Sequence, residues 1–183
     1  MKRFIIALLL ISALFTSCND YSNQGLDNFS INDSSLELTT YLIPENFIEK
    51  FEYVDGNYYY YDDSSVIPFY AVCERVLIYI QYEEDVYISA KEFAITNLYL
   101  SEEITEEYNQ YVFYYSTNNE SRNINDDNLP YTFVKFAYND TKHTLIFMAF
   151  DVSVELYDEV DQYLNDWGAF LDKYYGEWYD FSA

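Results

Sequence analysis

Few side chains in this sequence could act as a nucleophile, a general base or a metal ligand. The 183 residues include two cysteines, Cys18 and Cys73, and a single histidine, His143. One histidine cannot supply the paired histidines of an HExxH zinc site. As a general base, His143 would need a neighbouring nucleophile, and no motif around it provides one. We therefore predict no catalytic residue, no metal site and no resident cofactor.

The sequence also lacks the glycine motifs of phosphate-binding loops and of the turns that present a serine nucleophile. The four glycines, at positions 25, 56, 168 and 176, are too far apart for GxGxxG, a P-loop or a GxSxG elbow. Carboxylates remain, but among 32 Asp and Glu residues a pair arises by chance. An envelope hydrolase that uses paired carboxylates is therefore the alternative. It would need a deep pocket in which two carboxylates face each other and one has a strongly shifted pKa.

Two acidic stretches contain the oxygen ligands that Ca²⁺ prefers. They are Asp62 with Asp63, and Asn125 with Asp126 and Asp127. Neither has the ligand spacing or the central glycine of an EF-hand loop. A solvated loop is the simpler interpretation of each stretch.

The first 17 residues have the composition of a signal peptide. Lys2 and Arg3 form a positive start, and residues 4–15 are an almost unbroken apolar run. That run is too short for a stable helix across a membrane, and small residues close it. We therefore predict that residues 1–17 are a signal peptide.

The end of this segment, LFTSC at residues 14–18, resembles the lipobox of bacterial lipoproteins. In that family a small residue precedes a cysteine that is thioether-linked to diacylglycerol and becomes the mature N-terminus. Phe15 stands where the family usually has Leu, Val or Ile. The resemblance covers residues 1–18 only and implies lipid attachment at Cys18. It also implies a lipid-anchored location in the bacterial cell envelope, either periplasm-facing or at the cell surface. The alternative is an ordinary secretory signal cut near Ser17.

Charge and cysteine content limit the partners and the means of stabilisation. The formal net charge of −23 repels phosphate backbones, and no basic stripe offsets it, so nucleic acid is excluded as a partner. The membrane is expected as a partner through the lipid anchor, and a protein or glycan ligand is compatible with the charge. With Cys18 acylated, Cys73 has no partner for an intramolecular disulfide and is predicted to be a small core residue.

Hydrophobic patterns predict one domain behind a polar tether. Residues 18–35 comprise the lipidated cysteine and a flexible tether rich in Asn, Asp and Ser, and residues 36–183 form a single domain. The predicted elements of that domain are a short helix at 44–51, a hairpin turning at Asp55-Gly56, a central strand at 75–82, a helix at 84–97, an acidic connection at 98–107, a strand at 108–115, a polar loop at 116–130, a hairpin of strands 131–138 and 143–151, and a long helix at 155–178.

This order of elements predicts an α+β fold. We expect a mainly antiparallel sheet with helices packed on one face. A ferredoxin-like arrangement is the nearest named topology, although no final strand follows the last helix.

Aromatic residues are unusually frequent, with 23 tyrosines and 14 phenylalanines. If both helices cover one face of the sheet, aromatic side chains on the other face remain available to a ligand. The candidate ligand-binding residues are Tyr58, Tyr59, Tyr60, Tyr61, Tyr111, Phe113 and Tyr115. The alternative is that they fill the core and its margins. We therefore expect a membrane-tethered lipoprotein of the cell envelope that acts as a non-enzymatic binding module.

Overall fold

The computed structural model describes residues 20–26, 42–62, 73–98, 100–116, 131–152 and 166–182. The elements in these ranges are, in chain order, β1 (Asp20–Gly25), α1 (Phe47–Lys50), β2 (Asp55–Asp62), β3 (Cys73–Gln81), α2 (Glu84–Asn97), β4 (Leu100–Tyr108), β5 (Tyr111–Ser116), β6 (Tyr131–Asn139), β7 (Thr144–Val152) and α3 (Trp167–Tyr174).

All seven strands form one sheet in the order β1-β2-β3-β7-β6-β5-β4. Every neighbouring pair is antiparallel, so two meanders, β1 to β3 and β4 to β7, join where β3 pairs with β7. The predicted α+β class with an antiparallel sheet is confirmed. A ferredoxin-like sheet contains a split βαβ unit, in which one antiparallel strand lies between the two strands that the helix connects. Here three strands separate β3 from β4, which α2 connects, so that arrangement is not the one adopted.

The helices cover both faces of the sheet, and the prediction that they share one face is wrong. Residues of β3 and β7 are apolar on both sides, so each side has to be covered. On one face, here called the α2 face, Val76, Ile78 and Phe147 pack with α1 and α2. On the opposite face, here called the α3 face, Leu77 and Met148 pack with α3 and the segment that follows it.

The Asp55-Gly56 pair lies inside strand β2 and does not turn a hairpin as predicted. Gly56 is paired with Ile80 of β3, whereas the pairing of β2 with β1 ends at Asn57. A Cβ atom at Gly56 would lie 2.3 Å from Cδ1 of Leu26. The glycine therefore provides space for a neighbouring side chain, and pairing with β3 overrides the local turn preference.

Two segments that were predicted to be irregular form the edges of the sheet. Residues 20–25 of the predicted tether are strand β1, whereas residues 27–35 lie outside the described part. The predicted acidic connection at 98–107 contains all but the last residue of strand β4, which pairs with β5. The two residues between them, Asn109 and Gln110, have positive φ angles of 49° and 69°. This is the backbone of a tight hairpin turn. The acidic residues of β4 belong to an edge strand, where charge opposes pairing with other chains.

The remaining elements largely match their predictions. Strand 75–82 is β3, helix 84–97 is α2, and the hairpin of residues 131–151 is β6 and β7. The short helix at 44–51 is reduced to the four residues of α1. The predicted long helix at 155–178 is helical at Trp167–Tyr174, and its residues 155–165 lie outside the described part. Residues 117–130 of the predicted polar loop lie outside it as well.

Candidate ligand-binding cleft

The predicted aromatic candidates do not form an exposed surface. Tyr58, Tyr59 and Tyr60 are between 6 and 9 % exposed, while Tyr111 and Phe113 are at most 1 % exposed. Because side chains alternate along a strand, Tyr58 and Tyr60 join the α2 face and Tyr59 joins the α3 face. Tyr111 and Phe113 belong to the α3 face too, where Phe181 of the segment after α3 packs against both rings. Tyr61 is half-buried, and the side chain of Tyr115 and all of Cys18 lie outside the described part.

A cleft of about 480 Å³ opens at one end of the sheet instead. The register brings together the start of β2, the end of β3 and the start of β7, because Asp55 pairs with Gln81 and Gln81 with Thr144. The lining residues come from β2, β3, the β6–β7 turn, the start of β7 and the segment after α3; they are Asp55, Tyr59, Tyr79, Gln81, Thr141, Lys142, His143, Thr144, Trp178, Tyr179 and Asp180. Of the predicted aromatic candidates, Tyr59 lines this cleft.

The β6–β7 turn is held in shape by the buried side chain of Asn139. Its Oδ1 accepts hydrogen bonds of 2.9 Å from the backbone N–H groups of both Thr141 and Lys142. His143 closes the turn with a φ of 51°, and its carbonyl oxygen accepts from the N–H of Tyr82 at 3.0 Å. An asparagine that satisfies two turn amides favours this backbone. The turn therefore presents Thr141, Lys142 and His143 to the cleft in a defined arrangement.

Asp140, at the first position of this turn, connects it to helix α2. Its Oδ1 accepts from Lys91 Nζ at 2.5 Å and from the Tyr87 hydroxyl at 2.7 Å. Partial burial acts to raise the pKa of Asp140, but the hydrogen bonds and the charge of Lys91 outweigh it and lower that pKa overall. The Tyr87 ring also lies 5.2 Å from the His143 ring. The cleft turn is thus fixed to the helix behind it.

Tyr79 and Asp55 form a fixed polar pair on the sheet side of the cleft. The Tyr79 hydroxyl donates to Asp55 Oδ2 at 2.7 Å and accepts from Asn57 Nδ2 at 3.2 Å. Burial raises the pKa of Tyr79 to about 12, and its hydrogen bond to Asp55 acts in the same direction. The phenol therefore stays protonated at neutral pH and keeps the carboxylate in place.

Tyr179 lines the cleft next to Tyr79. Its hydroxyl lies 2.6 Å from the Tyr111 hydroxyl, and the two rings meet edge to face with centroids 6.1 Å apart. Burial raises the pKa of both tyrosines. The Tyr179 ring also lies 5.1 Å from the Tyr79 ring, inclined at 48°. Two half-buried rings that contact each other, each with a hydrogen-bonded hydroxyl, therefore form one aromatic part of the lining.

Arg75 fastens the segment after α3 to the sheet. This buried arginine extends from β3, and its guanidinium lies 4.4 Å from the Tyr61 ring centroid and 4.8 Å from that of Trp178. It donates from Nη1 to the carbonyl oxygen of Tyr174, and its Nη2 lies 3.4 Å from Glu177 Oε1. The Trp178 ring is in turn stacked at 8° on Tyr59, with centroids 5.8 Å apart. These contacts position the three cleft residues at 178–180.

The acidic groups of the cleft are poorly suited to acid–base catalysis. Asp180 Oδ1 accepts from the backbone N–H of Ser182 at 2.8 Å and from its hydroxyl at 2.6 Å. Asp55 accepts from Tyr79 and from the N–H of Gly56. Both carboxylates are exposed. Neither has the buried, apolar surroundings in which a carboxylic acid serves as a proton donor at neutral pH.

No group of three or more His, Cys, Asp or Glu residues within the described ranges could hold a metal ion. Of the acidic stretches considered for Ca²⁺, Asp62 ends β2, and Asp63 and residues 125–127 lie outside those ranges.

Among the helices described, none is long and apolar enough to cross a membrane. Cys73 is the first residue of β3.

Sequence reasoning did not find this cleft because its residues belong to segments far apart in the chain. The signals available were the isolated His143 and the polar turn before it.

Comparison of the chain with protein-family models, with curated proteins and with solved structures finds no match.

Proposed function

We propose that this protein is a lipid-anchored protein of the bacterial cell envelope that binds a ligand in the cleft and does not catalyse a reaction. The lipobox-like ending at Cys18 supports the anchor. The cleft between β2, β3, the β6–β7 turn and the segment after α3 is the observation that carries the binding function. Its volume of about 480 Å³ is within the range of small-molecule sites, roughly 300–1,000 Å³.

The walls of the cleft are fixed before any ligand arrives. Asn139 shapes the turn, Arg75 holds the segment after α3, and Tyr79 orients Asp55. A site whose side chains are already ordered loses less conformational entropy on binding. Such preorganisation supports recognition as the function of the cleft.

The register of the sheet supports a tethered binding role. Asp20, two residues after Cys18, pairs with Asp62 at one end of β2, whereas Asp55 of the cleft is at the other end. At about 3.3 Å per residue, these two ends of β2 are separated by roughly 23 Å. A lipid on Cys18 would therefore hold the β1 end of the sheet at the bilayer and leave the cleft at the distal end.

Hydrolysis by paired carboxylates is the less supported alternative. It would require a deep site with a buried acid, and Asp55 and Asp180 are exposed and engaged by protein donors.

The anchor and the binding function have separate tests. For the anchor, we expect the native chain in the membrane fraction to carry a diacylglycerol mass at Cys18 and a Cys18→Ala chain to lack it. For binding, the chain lacking residues 1–18 would be immobilised and exposed to envelope extracts. It should begin at Asn19, since a later start would remove strand β1. Asn139→Ala, which alters the cleft turn, is the matched variant and should retain less of the bound component. Retention of no component would contradict the proposed function.

A further inference from the structure

We propose that the ligand of the cleft is a neutral saccharide, bound through hydrogen bonds to its hydroxyl groups and through contact of the sugar ring with Tyr79 and Tyr179. This inference rests on the proposed binding function and adds the chemical class of the ligand.

The polar lining contains both donors and acceptors. Asp55 and Asp180 offer carboxylate oxygens, and Lys142 offers an ammonium group. The Thr141 hydroxyl can both donate and accept, and so can the Gln81 amide as a whole. The buried Thr144 hydroxyl already donates to the carbonyl oxygen of Lys142 at 3.2 Å. Sugar hydroxyls also do both, so a ring with several of them can match a mixed lining. A ligand that offers acceptors alone would meet the carboxylates without a favourable partner.

The aromatic part of the cleft suits the apolar C–H side of a sugar ring. Tyr79 and Tyr179 are half-buried, and their ring centroids lie 5.1 Å apart, so the two rings contact each other and form one aromatic part of the lining. Their hydroxyls are anchored on Asp55 and Tyr111. The rings therefore offer apolar area in fixed positions, and tyrosine combines such area with a polar tip.

Cationic and anionic ligands fit the site less well. An aromatic cage for an ammonium ion needs ring faces available to the cation. Here the chain's own Arg75 already lies over the ring of Trp178, and Lys142 adds a positive charge to the lining. An anionic ligand would be repelled by a chain whose net charge is −23. A neutral ligand rich in hydroxyls remains the best match.

The test is a titration of the chain from residue 19 onward with neutral oligosaccharides built from glucose, mannose, galactose or N-acetylglucosamine. Isothermal calorimetry measures affinity. Fluorescence of a Trp167→Phe chain reports on the cleft, because Trp178 is then its remaining tryptophan. At least one saccharide should bind, and Gln81→Ala should weaken that binding about five- to tenfold through the loss of one hydrogen-bonding partner.

Thr96→Ala is the matched control, since Thr96 is an exposed polar residue on α2, which covers the opposite face of the sheet. Equal weakening by both variants, or no weakening by Gln81→Ala, would place any binding outside the cleft and overturn the proposal. Absence of binding to every neutral saccharide at millimolar concentration would overturn it too, as would binding of choline or an oligogalacturonate alone. If an envelope component is retained in a cleft-dependent way while no saccharide binds, the ligand class is wrong and the binding function stands.

Discussion

Replacement of Arg75 by methionine tests how the cleft is held together. Arg75 is 9 % exposed and is the link between β3 and the segment that carries Trp178 to Asp180. Methionine keeps an apolar stem of similar reach, so the packing against Tyr61 is partly preserved. The change removes the hydrogen bond to the Tyr174 carbonyl and the contact of the guanidinium with the two rings.

The expected cost follows from opposing contributions. A hydrogen bond from a charged donor is worth about 1.5–3 kcal/mol, and a desolvated cation–π contact about 2 kcal/mol. Against these, a buried guanidinium carries a desolvation penalty of several kcal/mol that methionine does not. The Arg75 Nε makes this penalty larger, since it has no hydrogen-bond partner among the described residues. We therefore expect Arg75→Met to lower the free energy of unfolding by about 2 kcal/mol.

The ion pair with Glu177 contributes much less to this total. The Glu177 side chain is 62 % exposed, and such pairs contribute at most about 1 kcal/mol. Glu177→Gln is thus the matched control and should cost well under half of what Arg75→Met costs.

Urea denaturation followed by two probes separates a local effect from a global one. Circular dichroism follows the whole sheet, whereas Trp178 fluorescence in a Trp167→Phe background follows the segment after α3. In Arg75→Met the fluorescence transition should move to lower urea concentration than the dichroism transition. Equal costs for Arg75→Met and Glu177→Gln would refute the reasoning, because the surface ion pair would then hold the segment. Unchanged fluorescence in Arg75→Met would refute the positioning role.

Three further outcomes are expected. Asn139→Ala leaves two turn amides without their acceptor and should lower the free energy of unfolding by about 1–3 kcal/mol in urea denaturation; a neutral result would show that the turn does not depend on this side chain. The pKa of Asp140 is lowered from 3.8, as burial is outweighed by the hydrogen bond and charge of Lys91. The stability that ionised Asp140 contributes to the folded state is therefore present above pH 3.8 and is lost as pH falls through the lowered pKa of the folded protein. Asp140→Asn should thus flatten the acid limb of a curve of stability against pH. Burial raises the pKa of Tyr79 and Tyr138 from 10.0 to about 12. The stability that these tyrosines contribute is therefore complete below pH 10 and declines toward pH 12, because the unfolded chain ionises first. Tyr79→Phe should reduce that decline, and an unaltered alkaline limb of the stability curve would contradict the assignment.

Local patterns in the sequence determined the type of several elements. The run of β-branched and aromatic residues predicted β3, spacings of three and four predicted α2, and two apolar runs around a polar turn predicted the β6–β7 hairpin. These predictions hold because hydrophobic periodicity is a property of neighbouring residues. The same reasoning identified the α+β class.

Only the tertiary structure decided how those elements are arranged. The sequence showed that β7 is apolar on both sides, but not that α2 would cover one face and α3 the other. The Asp55-Gly56 pair has a local preference for a turn, which pairing with β3 overrides. The cleft depends on the register that aligns Asp55, Gln81 and Thr144. It also depends on the hydrogen bond from Arg75 to the Tyr174 carbonyl, which holds the segment after α3 against the sheet. Strand register and long-range side-chain contacts join residues far apart in the chain, and no local pattern encodes them.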